Sequence, residues 1–160
     1  MKMETAIFAA GCFWGVQASF DQLDGVTRTT VGYTGGRTNN PSYGEVCTGR
    51  TGHAEAVRIE FEPEKIPYTD LLDHFFTIHD PTTPNRQGPD VGTQYRSAVF
   101  YRDEKQRSAA LDAVGRWEKK GSFRNPIVTE IARAGAFYPA EEYHQKYFEK
   151  NGWGGCHISL

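Results

Sequence analysis

A cysteine at a strand-to-helix junction is the first residue of this chain able to do chemistry. The segment Gly11-Cys12-Phe13-Trp14-Gly15 follows a strand-like apolar run, Thr5–Ala10. It opens a helical stripe of Val16, Phe20 and Leu23 at i, i+4 and i+7, stopped by Gly25. The Cys12 sulfur therefore belongs at a helix N-terminus, where unpaired N–H groups and the positive end of the dipole stabilise a thiolate. The competing reading is a small buried hydrophobe, a common fate for a cysteine outside a disulfide. Position alone leaves both readings open. Phe13 and Trp14 favour the first, because two successive large aromatics cannot both join the helix stripe. At least one is available to wall a pocket beside the sulfur.

Glu55 is the second such residue. Ala54–Phe61 alternates as a strand, so Glu55, Val57, Ile59 and Phe61 share a face while Arg58 and Glu60 point the other way. A carboxyl group in an apolar row loses the hydration of its charged form and is kept protonated, as a general acid near neutral pH requires. At a frayed strand end it would instead reach water. A thiolate beside a dry acid suits attack on an electrophilic sulfur whose oxygen must be protonated to leave. It also suits acyl transfer, for which His53 or His144 would have to stand beside Cys12.

The rest of the chain must position these groups. Its 160 residues are 38% hydrophobic and 24% charged, as expected of one globular domain spanning 1–160. A net charge of −2 from 20 acidic and 18 basic residues gives no footprint for nucleic acid or an anionic membrane. The apolar run Ala6–Ala10 is too short for a signal-peptide core or a membrane span, so a cytoplasmic location is expected. Cysteines at 12, 47 and 156 form no Cys-x-x-Cys pair, and the five histidines show no His-x-x-x-His spacing, so no metal site is expected.

The patterns predict helices over Phe13–Asp24, around Tyr68, Leu71, Leu72, Phe75 and Phe76, from Asp103 to Gly121, and over Glu141–Lys150. They predict strands over Thr5–Ala10, Val26–Tyr33, Ala54–Phe61, Tyr95–Tyr101 and Ile127–Arg133. The order β-α-β-β-α-β, then α-β-α, predicts an α+β fold: a two-layer α/β sandwich with a ferredoxin-like, split β-α-β core. The irregular stretches 34–52 and 80–94 are longer than connections need to be, and their Tyr, Cys, Asp and Gln content marks them as functional. The glycine-rich tail, about 151–160, is expected to be mobile.

Five short segments in order carry a resemblance to a known family. They are Gly11–Gly15; Gly32-Tyr33-Thr34-Gly35-Gly36; Tyr43 with Gly52–Val57; His79-Asp80-Pro81-Thr82; and Gln87–Ser97. Together they resemble the A-type peptide methionine sulfoxide reductases from about residue 5 to the end of the chain. The resemblance implies reduction of the S epimer of methionine sulfoxide, free or in proteins, with no cofactor. It implies Cys12 as nucleophile and Glu55 as acid, with Phe13 and Trp14 holding the substrate methyl group. Tyr43 and Tyr95 would donate to the sulfoxide oxygen, with Asp90 on the polar side; alternatively Asp90 is a turn former near Pro89. Cys156 is implied as the resolving thiol, giving a Cys12–Cys156 disulfide reduced by thioredoxin. Cys47 is expected to be a buried packing residue. Gln17 and Ala10 depart from the usual family residues without touching this chemistry. A non-catalytic module for oxidised methionine peptides is the further alternative.

Overall fold

The computed structural model describes residues 3–147 and 150. Its centre is a six-stranded sheet built from β1 (Glu4–Ala10), β2 (Val26–Thr34), β3 (Ala54–Phe61), β6 (Ser97–Tyr101), β7 (Glu130–Arg133) and β8 (Phe137–Pro139). The spatial order is β7-β6-β1-β3-β2-β8. Pairings are antiparallel except β6 with β7, which is parallel. With helices α1 (Phe13–Asp21), α2 (Tyr43–Cys47), α3 (Tyr68–Thr77) and α4 (Glu104–Lys120), the molecule is an α+β protein.

Side-chain alternation decides which sheet face carries the larger core. In β1, Ala6, Phe8 and Ala10 join the core that also takes Val57, Ile59 and Phe61 from β3. The same core contains Phe13, Val16 and Phe20 of α1 with Leu71, Leu72, Phe75 and Phe76 of α3. Phe8 is its hub, with ring centroids 5.5 Å from Phe20 and 5.1 Å from Phe75. Truncating such a residue to alanine costs about 3–5 kcal/mol. A second cluster is built from smaller residues, Ala9, Ala54, Ala56 and Ala98, with Phe100.

The two long connections are more ordered than their composition predicts. The first contains α2, opened by a reciprocal box: Ser42 Oγ accepts from the Glu45 N–H at 3.2 Å, and Glu45 Oε1 accepts from the Ser42 N–H at 2.8 Å. The second contains the hairpin of β4 (Arg86–Gln87) and β5 (Asp90–Val91), turned through Gly88 (φ 58°) and Pro89.

The expected helix over Glu141–Lys150 is not continuous. The chain makes one 3-10 turn, Glu142–His144, runs extended at Gln145, and turns through Lys146 at φ 57° before Tyr147 becomes helical. Side-chain anchors replace the helical ladder. Gln145 Oε1 accepts from the Val31 N–H and Gln145 Nε2 donates to the Val31 carbonyl, both at 3.0 Å. The Lys146 N–H donates to Gln17 Oε1 at 2.7 Å. β8, just before this segment, was also not expected.

Candidate active site

β1 ends at Gly11, whose φ of 95° turns the chain into α1. A Cβ there would lie 2.8 Å from Gln87 Cγ, so glycine also admits the second long loop against this turn. Gln87 locks that loop: Oε1 accepts from the Asp80 N–H at 2.8 Å and Nε2 donates to the Asp80 carbonyl at 2.9 Å. Cys12, half-buried, is the residue that caps α1, at the positive end of the helix dipole.

Glu55 stands beside it. β3 places Glu55 on the same face as Val57 and Ile59, and it is 2% exposed. Glu55 Oε1 accepts from the Phe13 N–H at 3.2 Å, taking one of the unpaired donors at the start of α1. Oε2 is buried and has no hydrogen-bond partner among the described residues. Burial raises the carboxyl strongly, the Phe13 N–H lowers it, and the charge of Asp90 raises it further. The result is a pKa pushed up to about 8. Glu55 is therefore a protonated acid at neutral pH, next to a thiol.

The two long loops bring the polar partners. Burial raises the Tyr43 hydroxyl well above its ordinary value, followed by its hydrogen bond to Cys47 and the charge of Glu55. Tyr95, at the end of the 3-10 turn Thr93–Tyr95, is raised by burial and then by the charges of Glu55, Cys47, Asp90 and Cys12. Both phenols stay protonated as donors. Asp90 sits in β5 of the hairpin rather than in an irregular turn.

Cys47 contradicts its expected role. It is exposed, not a packing residue, because α2 turns Val46 inward and sets residue 47 one helical turn after Tyr43. Partial burial of the sulfur and the charge of Glu55 raise its thiol, against the lowering effect of the Tyr43 hydrogen bond.

The apolar wall is shared with the C-terminal segment. Phe13 is 1% exposed and packs on Tyr33 and His144. Trp14 is half-buried, stacks on Tyr147 at 3.8 Å between centroids, and donates its Nε1–H to His144 Nδ1 at 2.9 Å. Glu141 accepts from the Tyr33 hydroxyl at 2.9 Å and from the Tyr43 N–H at 3.0 Å. Burial works against its ionisation, but these donors and nearby His144 outweigh that and hold the carboxyl below its usual value.

The structure thus gathers Cys12, Phe13, Trp14, Tyr43, Glu55, Asp90 and Tyr95 around one helix end. Cys156 lies outside the described residues. His53 is not at the sulfur: Nδ1 accepts from the Gly36 N–H at 3.0 Å and Nε2 bonds the Thr38 carbonyl at 2.8 Å, which ties down the first long loop. Cys47 and Glu141 are site neighbours that the sequence reading does not place there, while His144, named only as a base for acyl transfer, instead accepts from the Trp14 indole. The Ser42-x-x-Glu45 signature would have revealed α2 and, with it, the i, i+4 pairing of Tyr43 and Cys47. Glu141 and His144 had no comparable signal.

Comparison with known proteins identifies relatives over nearly the whole chain. The sequence profile of the peptide methionine sulfoxide reductase family matches residues 4–160. The peptide methionine sulfoxide reductase MsrA of Methanothermobacter thermautotrophicus is 57% identical over 157 residues, 98% of this chain and 93% of that protein. Reduced Mxr1 from Saccharomyces cerevisiae superposes with a TM-score of 0.90 at 39% identity, covering 97% of this chain and 89% of that one. Mxr1 in complex with Trx2 gives a TM-score of 0.67 at 25% identity, covering 99% and 90%. With the site, these matches define a thiol-dependent oxidoreductase. The chain belongs to the A-type peptide methionine sulfoxide reductase family. No described helix is long and apolar enough to cross a membrane.

Proposed function

We propose that this chain reduces methionine-S-sulfoxide, free or in proteins, and so repairs oxidised methionine in the cytoplasm. The observation that carries the reading is Glu55, a buried acid with a pKa of about 8 held against the first N–H of the helix that Cys12 caps. In the proposed step, the Cys12 thiolate attacks the sulfoxide sulfur while Glu55 delivers a proton to the oxygen. Tyr43 and Tyr95 donate to that oxygen as its charge builds, with Asp90 on the polar side. For Tyr43 this means turning its hydroxyl from Cys47 to the substrate. Phe13 and Trp14 hold the substrate methyl group.

The hydroxyl then passes from the methionine sulfur to Cys12 Sγ as the new S–S bond breaks, so the sulfoxide, reduced by two electrons, leaves as the thioether and Cys12 is oxidised to a sulfenic acid. Attack by the Cys156 thiol then expels water and forms a Cys12–Cys156 disulfide, which the dithiol of thioredoxin reduces. The yeast complex with Trx2 supports that choice of reductant. We read residues 1–160 as one domain. Strands β6, β1, β3 and β2, with α1 and α3, are read as its split β-α-β, ferredoxin-like core.

A single addition of substrate to the reduced protein, followed by peptide mass mapping, tests the cycle. The expected product is a Cys12–Cys156 crosslink with one methionine formed per chain, and Cys156→Ser should keep that single turnover but lose recycling by thioredoxin. Thioredoxin-driven turnover in Cys156→Ser would remove the tail from the cycle. Turnover in Cys12→Ser would remove the nucleophile, whereas an acyl-enzyme on Cys12 without sulfoxide reduction would restore the acyl-transfer reading, against which the loop contacts of His53 already count.

A further inference from the structure

Gly35 and Arg96 take no part in the proposed chemistry, yet they meet beside the turn that carries Tyr95. Arg96 closes the 3-10 turn Thr93–Tyr95 twice on one atom. Its N–H donates to the Thr93 carbonyl at 3.2 Å, and its Nη1–H donates to the same oxygen at 2.9 Å. Its Nε–H donates to Glu130 Oε1, at the head of β7, at 3.0 Å. The Arg96 side chain is 15% exposed, so this ion pair is more sheltered than an ordinary surface pair. The guanidinium also lies against Gly35, where φ is 85° and a Cβ would stand 3.0 Å from Nη2 and 2.9 Å from Phe100 Cε1. A planar fork can hold Thr93 and Glu130 together, whereas a lysine ammonium on its single stem cannot copy that geometry.

We propose that Arg96 is a positioning residue for the reduction: its guanidinium, set between Gly35 and Glu130, fixes the 3-10 turn and so the direction of the Tyr95 phenol. A single 3-10 turn has poor hydrogen-bond geometry and little rigidity of its own. At its start, the Tyr95 N–H bonds the carbonyl of Gly92, a glycine at φ 144°. At its end, Arg96 leads into a strand that is firmly held, since Ser97 Oγ bonds His79 Nε2 and Thr129 Oγ1, both at 2.7 Å. The Arg96 side chain therefore ties a weak turn to a fixed strand. A donor aimed at developing charge stabilises it most when its direction is set before the reaction. The inference rests on Tyr95 donating to the sulfoxide oxygen.

Tyr43 and Tyr95 are assigned to one oxygen and can cover for each other, so the test runs in Tyr43→Phe, where Tyr95 is the remaining phenol. The readout is the single-turnover rate with a capped methionine sulfoxide. Arg96→Lys should lower the rate at saturating substrate about 5- to 20-fold and leave the half-saturating concentration within about twofold, because an aimed donor serves the transition state more than bound substrate. Glu130→Gln keeps the Thr93 bond and should lower the rate about threefold, which preserves the test if the lysine variant does not fold. Once Tyr95→Phe is added, neither change should slow the reaction further. An unchanged rate in the folded variants, or an equal fall with Tyr95 already replaced, would overturn the inference. A rate in Tyr43→Phe with Tyr95→Phe equal to that of Tyr43→Phe alone would instead overturn the donor role of Tyr95 on which it rests.

Discussion

Two carboxylates reach the same pocket from different regions of the molecule, and they are kept in opposite states. Glu55 comes from β3, at the centre of the sheet, with one N–H donor and an apolar row around it, and its pKa rises to about 8. Glu141 comes from the C-terminal segment, accepts from a phenol and a backbone N–H, and is held below its ordinary value. The difference is a count of donors against burial. One N–H does not offset desolvation at Glu55, whereas several favourable partners do so at less buried Glu141. A proton donor and an ionic strut are thus made from the same residue type.

The contrast breaks most visibly if Glu55 is made unable to release a proton. Glu55→Gln preserves the shape and the neutral state and should slow single-turnover sulfoxide reduction by about 10²- to 10³-fold, measured by quenched flow. An unchanged rate would take the acid out of the mechanism. The same variant should be more stable than wild type. The sign follows from a folded pKa raised from 4.5 to about 8: the unfolded chain ionises first, so wild-type stability falls as pH rises through that window. The advantage of the glutamine variant should grow by about 1.4 kcal/mol per pH unit across it and then level off, as urea titrations at several pH values would show.

Gly11→Ala attacks the frame beside Glu55. It combines a left-handed φ with a 2.8 Å approach to Gln87, and a stability loss of about 2–4 kcal/mol is expected in urea. Glu141→Gln tests the strut more gently. Neutralising it weakens the bonds to Tyr33 and Tyr43, and a loss of about 1–2 kcal/mol is expected with a raised KM and intact single-turnover chemistry. A large fall in the chemical rate would mean that Glu141 is no mere support.

The same two regions mark where sequence patterns speak and where they fall silent. The alternation of Ala54–Phe61 placed Glu55 on the buried face because a strand's period is set by the backbone. The position of Cys12 followed equally from a strand, a glycine and a helical stripe. The C-terminal segment misleads because its local signals are real but outvoted. Acids early and lysines late suit a helix dipole, yet Gln145 and Lys146 gain more from β2 and α1 than from an i, i+4 ladder. Contacts across more than a hundred residues leave no trace in spacing. His144 was therefore legible only as a candidate base for acyl transfer, and its bond to Trp14 was not legible at all.

The most direct test of the protonated acid is carbon-13 NMR of glutamate side-chain carboxyls, with Glu55→Gln identifying the resonance. A neutral carboxylic acid at pH 7 that titrates with a midpoint near 8 is the expected result. A resonance already fully ionised at pH 6 would contradict the account.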